Sequence, residues 1–503
     1  MKKFLLLSAY ALLIGACTQS RFDVIIRNAQ IVDGSGSPSF IGDVGFNADT
    51  IAAVGDLSKA VSQKEIDGSG FVLAPGFIDT HSHHDRGMFE KRDMLALTSQ
   101  GVTTMIVGQD GGSQFPLTQL TNKLDSTPVS INVGSYTGHN TIRRMVLGEK
   151  YQREATQEEV DQMKELLEQD LKLGSLGLST GLEYDPGIYS NENEVLALAN
   201  VVAQYDGRYI SHMRSEDRYF WEALKEIINI GKQSGIPVQI SHAKLAMKSL
   251  WGQSNRMIGI LDSARNAGID ITADIYPYPY WQSTMTVLFP ERNFKDQAAA
   301  SYALSELTTP EGVLIGDYSP IPEYVGKTLA EVSLIRKTDP AQTLMDLIAI
   351  VEKQQGDESI IATSMAEEDI KRIMEWPYTN ICSDGTTEGL HPRGHGSFTK
   401  ILRHYVNENQ SLSLEEAIHK MTQQAATNLN LKKRGEIKPG YYADLVLFDP
   451  VTVADQATSD RPHALSTGII RVIVNGIEVR NENGSTHQFP GRTIKRENLA
   501  GKI

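Results

Sequence analysis

Several apolar segments in the middle of the chain end in side chains that can bind a metal ion. The segments are FIDTHSH, MIVGQD, YISH, VQISH and ICSD, which end in His81 and His83, Asp110, His212, His242 and Asp384. If these segments are parallel strands, their carboxyl ends meet at one edge of the sheet, where barrel enzymes hold their catalytic groups. A satisfied core polar group could explain one of these residues but explains the whole set poorly. The pattern therefore predicts a site built from the ends of several strands.

Strand-like and helix-like segments alternate around these residues. Eight apolar runs are typical of strands: GFVLAPGFI, GVTTMIVG, VSINVG, GSLGLST, RYISH, IPVQISH, GIDITADIY and TNICSD. Helical segments separate many of them, and two begin with capping-box spacing, at Thr156 with Glu159 and at Ser413 with Glu416. The alternation predicts an α/β fold with a closed (β/α)8, TIM-like barrel over residues 73–434. An open doubly wound sheet is the alternative.

Two other parts of the chain do not follow the alternation of strands and helices. Residues 21–72 and 435–490 contain short alternating strands broken by turns, and we expect them to pair into one small β-sandwich formed by both chain ends.

The stretch from Tyr276 to Tyr378 is too long for one crossover between strands. It predicts a subdomain inserted before the last barrel strand, at about residues 283–345, that covers the mouth of the site.

The N-terminal segment, residues 1–20, has two lysines, a short apolar run and small residues before Cys17, which is typical of an export signal. Its LIGAC end resembles the lipobox of bacterial lipoproteins, which implies lipidation of Cys17 and a place on the periplasmic side of a membrane, the outer membrane in our interpretation. An ordinary cleaved signal or an uncleaved anchor are the alternatives. Without Cys17 only Cys382 remains, so the mature chain can form no internal disulfide.

Charge limits the partners that the chain can take. The formal net charge is -14 and no dense run of lysine and arginine occurs. Nucleic-acid partners need a basic surface, so we expect none. A small-molecule substrate fits this composition better, and we expect contact with a membrane only through the N-terminal lipid anchor.

The histidines near residue 80 predict a metal ion. In an extended segment His81 and His83 point to the same face, and His84 points away. Two imidazoles at this spacing are weak evidence by themselves, because surface histidine pairs are common. Together with imidazoles and carboxylates at other strand ends they predict a divalent cation, with Zn²⁺ as the first candidate.

Five motifs in order along the chain carry a family resemblance. PGFIDTHSHHD, ISHMRSED, QISHAKLA, CSDG with HPRGHGSF, and GEIKPGYYADLVLFDP resemble the amidohydrolase superfamily. More narrowly they are similar to the D-aminoacylases, or N-acyl-D-amino-acid deacylases. The resemblance covers nearly the whole mature chain, and the insertion before the last strand belongs to the same pattern.

The resemblance implies roles for individual residues. His81 with His83 would form one metal site, His212 with His242 the other, and Asp384 would be the catalytic acid and base. Substrate contacts are implied for Tyr184, Lys244 and Arg393, with Arg393 suited to a substrate carboxylate.

One motif departs from the family pattern. D-aminoacylases usually show GNCG after the second strand, with the cysteine as a metal ligand, whereas this chain has GQDG and places Asp110 there. A carboxylate can bridge two ions and, as a harder donor, accepts Mn²⁺ or Fe²⁺ besides Zn²⁺. Glu183 is a competing bridge, and either carboxylate could instead orient a histidine. The number of metal ions, one or two, stays open.

These residues together predict hydrolysis of a linear amide, most specifically deacylation of N-acyl-D-amino acids by activated water with Asp384 moving the proton. His139 in TGHNTIR is a candidate donor to the developing oxyanion, or a packed loop histidine. Dipeptide or cyclic-amide hydrolysis, resembling hydantoinases and dihydroorotases, is the main alternative. A serine hydrolase using Ser179 in GLSTG is less favoured, because GLSTG is followed by a loop rather than a helix. A non-catalytic binding protein is less favoured, because the chain retains all four histidines and Asp384.

Overall fold

A computed structural model describes residues 21–496. The predicted signal segment and Cys17 lie outside the described residues. Among the helices within this range, none combines the length and the hydropathy that crossing a bilayer requires.

Strands and helices are numbered in chain order. The strands are β1 (Arg21–Ile31), β2 (Phe40–Asn47), β3 (Thr50–Gly55), β4 (Val61–Asp67), β5 (Val72–Pro75), β6 (Phe77–Asp79), β7 (Val102–Val107), β8 (Asn132–Ser135), β9 (Thr137–Gly138), β10 (Gly177–Gly181), β11 (Arg208–His212), β12 (Val238–Ile240), β13 (Ile271–Ile275), β14 (Tyr280–Ser283), β15 (Val313–Tyr318), β16 (Glu358–Thr363), β17 (Thr379–Ile381), β18 (Leu445–Phe448), β19 (Ile469–Val474), β20 (Ile477–Asn481), β21 (Gly484–Ser485) and β22 (Thr493–Ile494). The α-helices are α1 (Leu95–Thr98), α2 (Leu117–Ser126), α3 (His139–Leu147), α4 (Gln157–Leu173), α5 (Glu192–Ala203), α6 (Phe220–Ser234), α7 (Ser254–Asn266), α8 (Gln297–Tyr302), α9 (Leu329–Arg336), α10 (Pro340–Gln354), α11 (Glu367–Glu375), α12 (Arg393–Lys400), α13 (Leu414–Met421) and α14 (Gln423–Asn428).

Parallel strands with helical crossovers form the barrel, as the alternation predicts. Strands β6, β7 and β8 are adjacent and parallel, and so are β9 to β13 followed by β17. The two arcs join where the Leu176 N–H donates to the Ser135 carbonyl at 3.0 Å. They close where the Asp384 N–H donates to the His81 carbonyl at 2.8 Å. The prediction of a barrel is confirmed, and each of the eight predicted runs contains a barrel strand.

Burial explains why these segments become strands and their neighbours become helices. Every residue of β7 and β10 is buried, because one face of a barrel strand packs inside the barrel and the other packs against helices. Helix α4 buries Val160, Met163, Leu167 and Leu171 against the barrel. It begins at the predicted capping box, and α13 begins at the other predicted one.

Strands from both chain ends share one nine-stranded sheet outside the barrel. Its order is β21-β20-β19-β18-β5-β1-β2-β3, with β4 paired to β1. The N-terminal and C-terminal segments meet where β5 pairs antiparallel with β18, with Leu73 opposite Leu447. A separate apolar cluster that includes Ile26, Phe46 and Leu445 stabilises this sheet.

The insertion before the last barrel strand has its own three-stranded antiparallel sheet, ordered β14-β16-β15. It extends from Tyr280 to Thr363, beyond the 283–345 of the sequence prediction, because its first and last strands pair with Tyr280 opposite Thr363. Helices α8, α9 and α10 connect its strands. Residues of β14 and β16 line the cavity at the carboxyl edge of the barrel, so the insertion forms one wall of that cavity.

Candidate metal centre

The carboxyl ends of five barrel strands deliver the predicted ligand side chains to one place. His81 and His83 follow β6, Asp110 follows β7, His212 ends β11, His242 follows β12 and Asp384 follows β17. His84 turns away from this place, and its Nε2 hydrogen bonds with the Gly394 carbonyl at 3.1 Å. The alternation expected for an extended segment therefore holds across residues 81–84.

Two carboxylates face the first histidine pair. The Nε2 atom of His83 lies 3.2 Å from Asp110 Oδ2 and 3.3 Å from Asp384 Oδ1. The Nε2 atom of His81 lies 3.5 Å and 3.4 Å from the same two oxygens. Both imidazoles therefore direct Nε2 to the space between the two carboxylates.

The second histidine pair faces the other oxygen of Asp110. His242 Nε2 lies 3.3 Å from Asp110 Oδ1 and 3.0 Å from His212 Nδ1. Asp110 thus presents one oxygen to each histidine pair. Asp110 could therefore help to hold an ion together with either pair.

The cluster is suited to a divalent cation. His81 is fully buried, yet neither of its ring nitrogens has a hydrogen-bond partner among residues 21–496. Unpaired buried nitrogens are costly, and a bound cation would satisfy them. One donor atom from each of His81, Asp110, His242 and Asp384 can be chosen so that all lie within 4.8 Å of one another. Burial alone would lower the pKa of His83, but the carboxylates of Asp110 and Asp384 outweigh it and raise that pKa to about 9. The site therefore attracts positive charge, and its imidazole and carboxylate donors suit Zn²⁺ or Mn²⁺.

Three residues of the cluster have strained backbones. Asp110, His242 and Asp384 have φ values of 51°, 35° and 47°, a region that side chains other than glycine seldom adopt. Such conformations cost on the order of 1–3 kcal/mol each and are typical of functional sites. Hydrogen bonds hold them, including one of 2.5 Å from the His242 N–H to Asp274 Oδ1.

Two further carboxylates contact the outer nitrogens of the second histidine pair. Glu183 Oε2 lies 2.8 Å from His212 Nε2, whereas His212 presents its other nitrogen to His242. Glu216 Oε1 lies 3.0 Å from His242 Nδ1. The structure thus places Glu183 outside the two histidine pairs and Asp110 between them. From the sequence, Glu183 could either bridge two ions or orient a histidine. Its contact with His212 corresponds to the second role.

Glu216 and Asp274 contact the histidines but are not among the residues predicted from the sequence. Glu216 stands in ISHMRSED, four residues after His212, and its pairing partner Lys244 follows another strand. Asp274 lies inside β13, in a run that predicts only a strand. The position of Glu216 shortly after a ligand-bearing strand was the only available signal, since its contacts are made by the folded chain.

Glu216→Gln is expected to weaken zinc binding about 10–100-fold, the usual loss when the partner of a ligand histidine is changed. The amide of glutamine is uncharged, so it would contact His242 Nδ1 without a negative charge. It would also lose the ion pair with Lys244, whose Nζ lies 2.8 Å from both Glu216 oxygens. Competition against a chelating dye measures the change. Glu222→Gln, an exposed position on α6, is the control and should leave zinc affinity unchanged. Equal affinity in the two variants would contradict the role given to Glu216.

The side chains expected to contact substrate line a cavity of about 1000 Å³ above the cluster. The Tyr184 hydroxyl lies 3.1 Å from His212 Nδ1, within hydrogen-bond distance. Lys244 pairs with Glu216, and Arg393 Nη1 lies 2.5 Å from Asp384 Oδ2. Burial would raise the pKa of Asp384, but Arg393 and the histidines hold it well below its usual range. Asp384 is therefore a carboxylate at neutral pH and can accept a proton.

The oxyanion role considered for His139 is not supported by its position. Its Nε2 lies 2.7 Å from Glu194 Oε1, its side chain is fully buried, and it does not line the cavity. Arg143 donates to the same Glu194 oxygen at 2.8 Å and to the carbonyls of Tyr151 and Pro186. His139 is therefore a packed histidine in a buried ion network that supports the cavity loops.

Arg143→Met is expected to lower the free energy of unfolding by about 3–5 kcal/mol, because it removes one partner of a buried ion pair and leaves Glu194 without its arginine. A urea titration followed by circular dichroism measures the change. The neighbouring Arg144 is exposed, and Arg144→Met should change stability by only about 0.5 kcal/mol. If the loss of stability in Arg143→Met were as small as that in Arg144→Met, the buried network would add no stability.

Ser179 lies in surroundings that do not suit a nucleophile. It is buried inside β10, where its hydroxyl donates to the Gly108 carbonyl at 2.6 Å and accepts from the Gly111 N–H at 3.2 Å. No described histidine hydrogen bonds with it. The residue fixes neighbouring strands, and the serine hydrolase alternative loses its geometric basis.

The chain is similar to known proteins over most of its length. A model of the amidohydrolase family matches residues 64–303 and 381–480. Three proteins of Alcaligenes xylosoxydans xylosoxydans are each 34% identical to the chain. They are a D-aminoacylase (94% of this chain and 98% of that protein), an N-acyl-D-glutamate deacylase (96% and 99%) and an N-acyl-D-aspartate deacylase (94% and 95%).

Two solved structures of similar proteins have the same fold as this chain, and both concern metal centres. The N-acyl-D-glutamate deacylase of Bordetella bronchiseptica, complexed with zinc and a phosphonate mimic of the tetrahedral intermediate, superposes with a TM-score of 0.84 at 32% identity, covering 95% of this chain and all of that one. A D-aminoacylase structure concerned with a binuclear metal centre gives 0.85 at 33% identity, covering 94% and 100%.

Proposed function

Because this chain belongs to the amidohydrolase family, we propose that it is a metal-dependent hydrolase that deacylates N-acyl-D-amino acids. The observation that carries the proposal is the convergence of four histidines and two carboxylates from five strand ends on one centre. The similarity to deacylases over nearly the whole chain supports the substrate class.

The centre would hold one or two divalent ions, with zinc as the first candidate and Mn²⁺ or Fe²⁺ as alternatives. The residues that would hold them are His81, His83, Asp110, His212, His242 and Asp384. When bound, the ion supplies a Lewis acid that makes water more acidic and polarises the acyl carbonyl. Glu183 and Glu216 would orient the imidazoles of His212 and His242 through their contacts with the outer ring nitrogens.

Asp384 moves the proton in this proposal. As a carboxylate it accepts a proton from the attacking water, and it then gives that proton to the amide nitrogen as the C–N bond breaks. Its partner Arg393 keeps it ionised before the reaction. Hydrolysis thus converts the amide into a carboxylate and a free amine without a covalent enzyme intermediate.

Cationic side chains near the centre would hold the substrate's α-carboxylate. Arg393, Lys244 and Tyr184 all line the cavity. A guanidinium can bind a carboxylate through two hydrogen bonds, so Arg393 is the favoured contact. Positioning of this group would select the configuration at the α-carbon.

Turnover of paired substrates tests the proposal. Zinc-loaded protein should hydrolyse N-acetyl-D-leucine faster than N-acetyl-L-leucine, lose activity to dipicolinate and regain it with added zinc. Serine-directed acylating reagents should have no effect. Faster hydrolysis of dipeptides or hydantoins than of every N-acyl-D-amino acid would contradict the substrate class but leave a metal-dependent hydrolase.

We also propose that the protein is an exported lipoprotein of the periplasmic side of the outer membrane. The proposal rests on the lipobox-like sequence that ends at Cys17. Labelling with a palmitate analogue should mark the wild-type protein and not Cys17→Ala. A labelled Cys17→Ala variant, or a wild-type protein released in soluble form, would contradict it.

A further inference from the structure

The segment between β10 and α5 carries two residues that contact His212. Glu183 Oε2 lies 2.8 Å from His212 Nε2, and the Tyr184 hydroxyl lies 3.1 Å from His212 Nδ1. Residues 182–191 contain one turn of 3-10 helix, Gly187–Tyr189, and are otherwise irregular. Their backbone carbonyls need partners from outside the segment, and those partners fix where Glu183 and Tyr184 stand.

Three arginines from three parts of the fold donate to carbonyls of this segment. Arg143 of α3 and Arg214, which follows β11, donate to carbonyls within residues 186–190. Arg292 belongs to the insertion and donates to the carbonyl of Glu183 at 2.5 Å. The part of the segment that contacts His212 is therefore held from the insertion.

The guanidinium of Arg292 binds groups on two sides. On the side of the insertion, its Nη1 donates to the Thr286 carbonyl at 2.6 Å. On the side of the barrel, its Nε lies 3.2 Å from Asp185 Oδ1, and its Nη2 donates to Glu183. The side chain of Arg292 is only 11% exposed, so water competes little for these contacts. A planar guanidinium that binds both segments at once fixes the distance between them.

These contacts form a continuous series from the insertion to the metal centre. Arg292 holds the backbone of Glu183, and the carboxylate of the same residue contacts His212. The other ring nitrogen of His212 lies 3.0 Å from His242 Nε2, inside the centre. A change in the position of the insertion would therefore move Glu183 and the imidazole that it orients.

We propose that Arg292 is a positioning residue that couples the inserted subdomain to the metal centre by holding Glu183 against His212. The inference rests on the metal centre of the proposed function and not on its substrate class. The insertion thereby acts on the geometry of the metal ligands, in addition to forming a wall of the cavity.

The sign of the effect on metal binding separates positioning from the direct effect of charge. A guanidinium repels a nearby cation, so removal of its charge alone would strengthen zinc binding. Loss of positioning would weaken zinc binding, because Glu183 would hold His212 less firmly.

Arg292→Met is expected to weaken zinc binding about 3–10-fold, less than the roughly 10–100-fold cost of losing an orienting partner itself. Competition against a chelating dye measures the change. Arg292→Lys keeps the charge and should lose nearly as much affinity, because one ammonium cannot replace the planar fork. Lys295→Met, an exposed position on the same segment, is the control and should bind zinc like the wild type. Unchanged or stronger zinc binding by Arg292→Met would overturn the inference.

A double-mutant cycle tests whether Arg292 acts through Glu183. Glu183→Ala should weaken zinc binding about 10–100-fold, and adding Arg292→Met to it should change the affinity by less than about twofold. An equal further loss in both backgrounds would overturn the inference, since the effect would then reach the centre by another path. Circular dichroism spectra check folding, and Arg292→Lys takes the place of Arg292→Met in the cycle if the latter fails to fold.

Coupling between two sites is reciprocal, so the metal should also act on the insertion. Zinc loading should slow amide hydrogen exchange in residues 284–292 of the wild type and not of Arg292→Met. Equal slowing in both proteins would contradict coupling through Arg292. A wild-type chain that binds no zinc would overturn both this inference and the proposed function, whereas normal zinc binding and turnover by Arg292→Met would overturn the inference alone.

Discussion

Replacing Asp384 by asparagine is expected to lower kcat by about 10²–10⁴-fold, the range for removal of a general acid–base group. The amide retains the size of the side chain and one oxygen, but it cannot accept a proton from water at neutral pH. Zinc content should fall little, because both histidine pairs and Asp110 remain. Steady-state kinetics with N-acetyl-D-leucine, together with metal analysis of the same samples, measures both quantities.

The control for Asp384→Asn is Glu388→Gln, an exposed carboxylate four residues away that pairs with Lys91. It should have wild-type kcat. If Asp384→Asn retained kcat within about tenfold of wild type while binding zinc normally, another group would have to move the proton. Loss of zinc in Asp384→Asn would instead show that Asp384 acts chiefly as a ligand.

Barrel strands and their polar ends could be predicted from the sequence because each signal is local. A buried parallel strand needs a short apolar run, and its last residue or the few that follow reach the carboxyl edge of the barrel whatever the rest of the chain does. His212 and His242 illustrate this, since each follows a short strand-like segment and a single serine. Their convergence follows from the parallel order of the strands.

Contacts made between distant segments could not be predicted in the same way. Glu216 contacts His242 only because the loop after β11 folds over the end of β12. His139 seemed available in a loop, but helix α3 begins at that residue and buries it beside Glu194. The insertion extends beyond its predicted bounds because β14 pairs with β16, about 80 residues later in the chain.

Asp110 stands where the family pattern has a cysteine. The metal preference of the centre can therefore be tested by exchanging this one side chain. The family cysteine would offer a single soft sulfur, whereas Asp110 offers two hard oxygens, one facing each histidine pair. Exchange of this carboxylate for a thiolate should therefore shift metal preference towards zinc and away from Mn²⁺. Asp110→Cys, analysed for both metals after growth in medium containing each, measures the shift.

Removal of the same carboxylate is expected to have the larger effect. Asp110→Ala should lower both the zinc affinity and kcat by more than about 100-fold, because Asp110 contacts both histidine pairs, whereas loss of a residue that only orients a ligand costs about 10–100-fold. Emission spectroscopy after gel filtration measures zinc, and Asp110→Cys serves as the variant that restores a ligand. Full zinc content and near-normal kcat in Asp110→Ala would mean that the histidines hold the metal without a bridge, and that Asp110 only accepts hydrogen bonds from them.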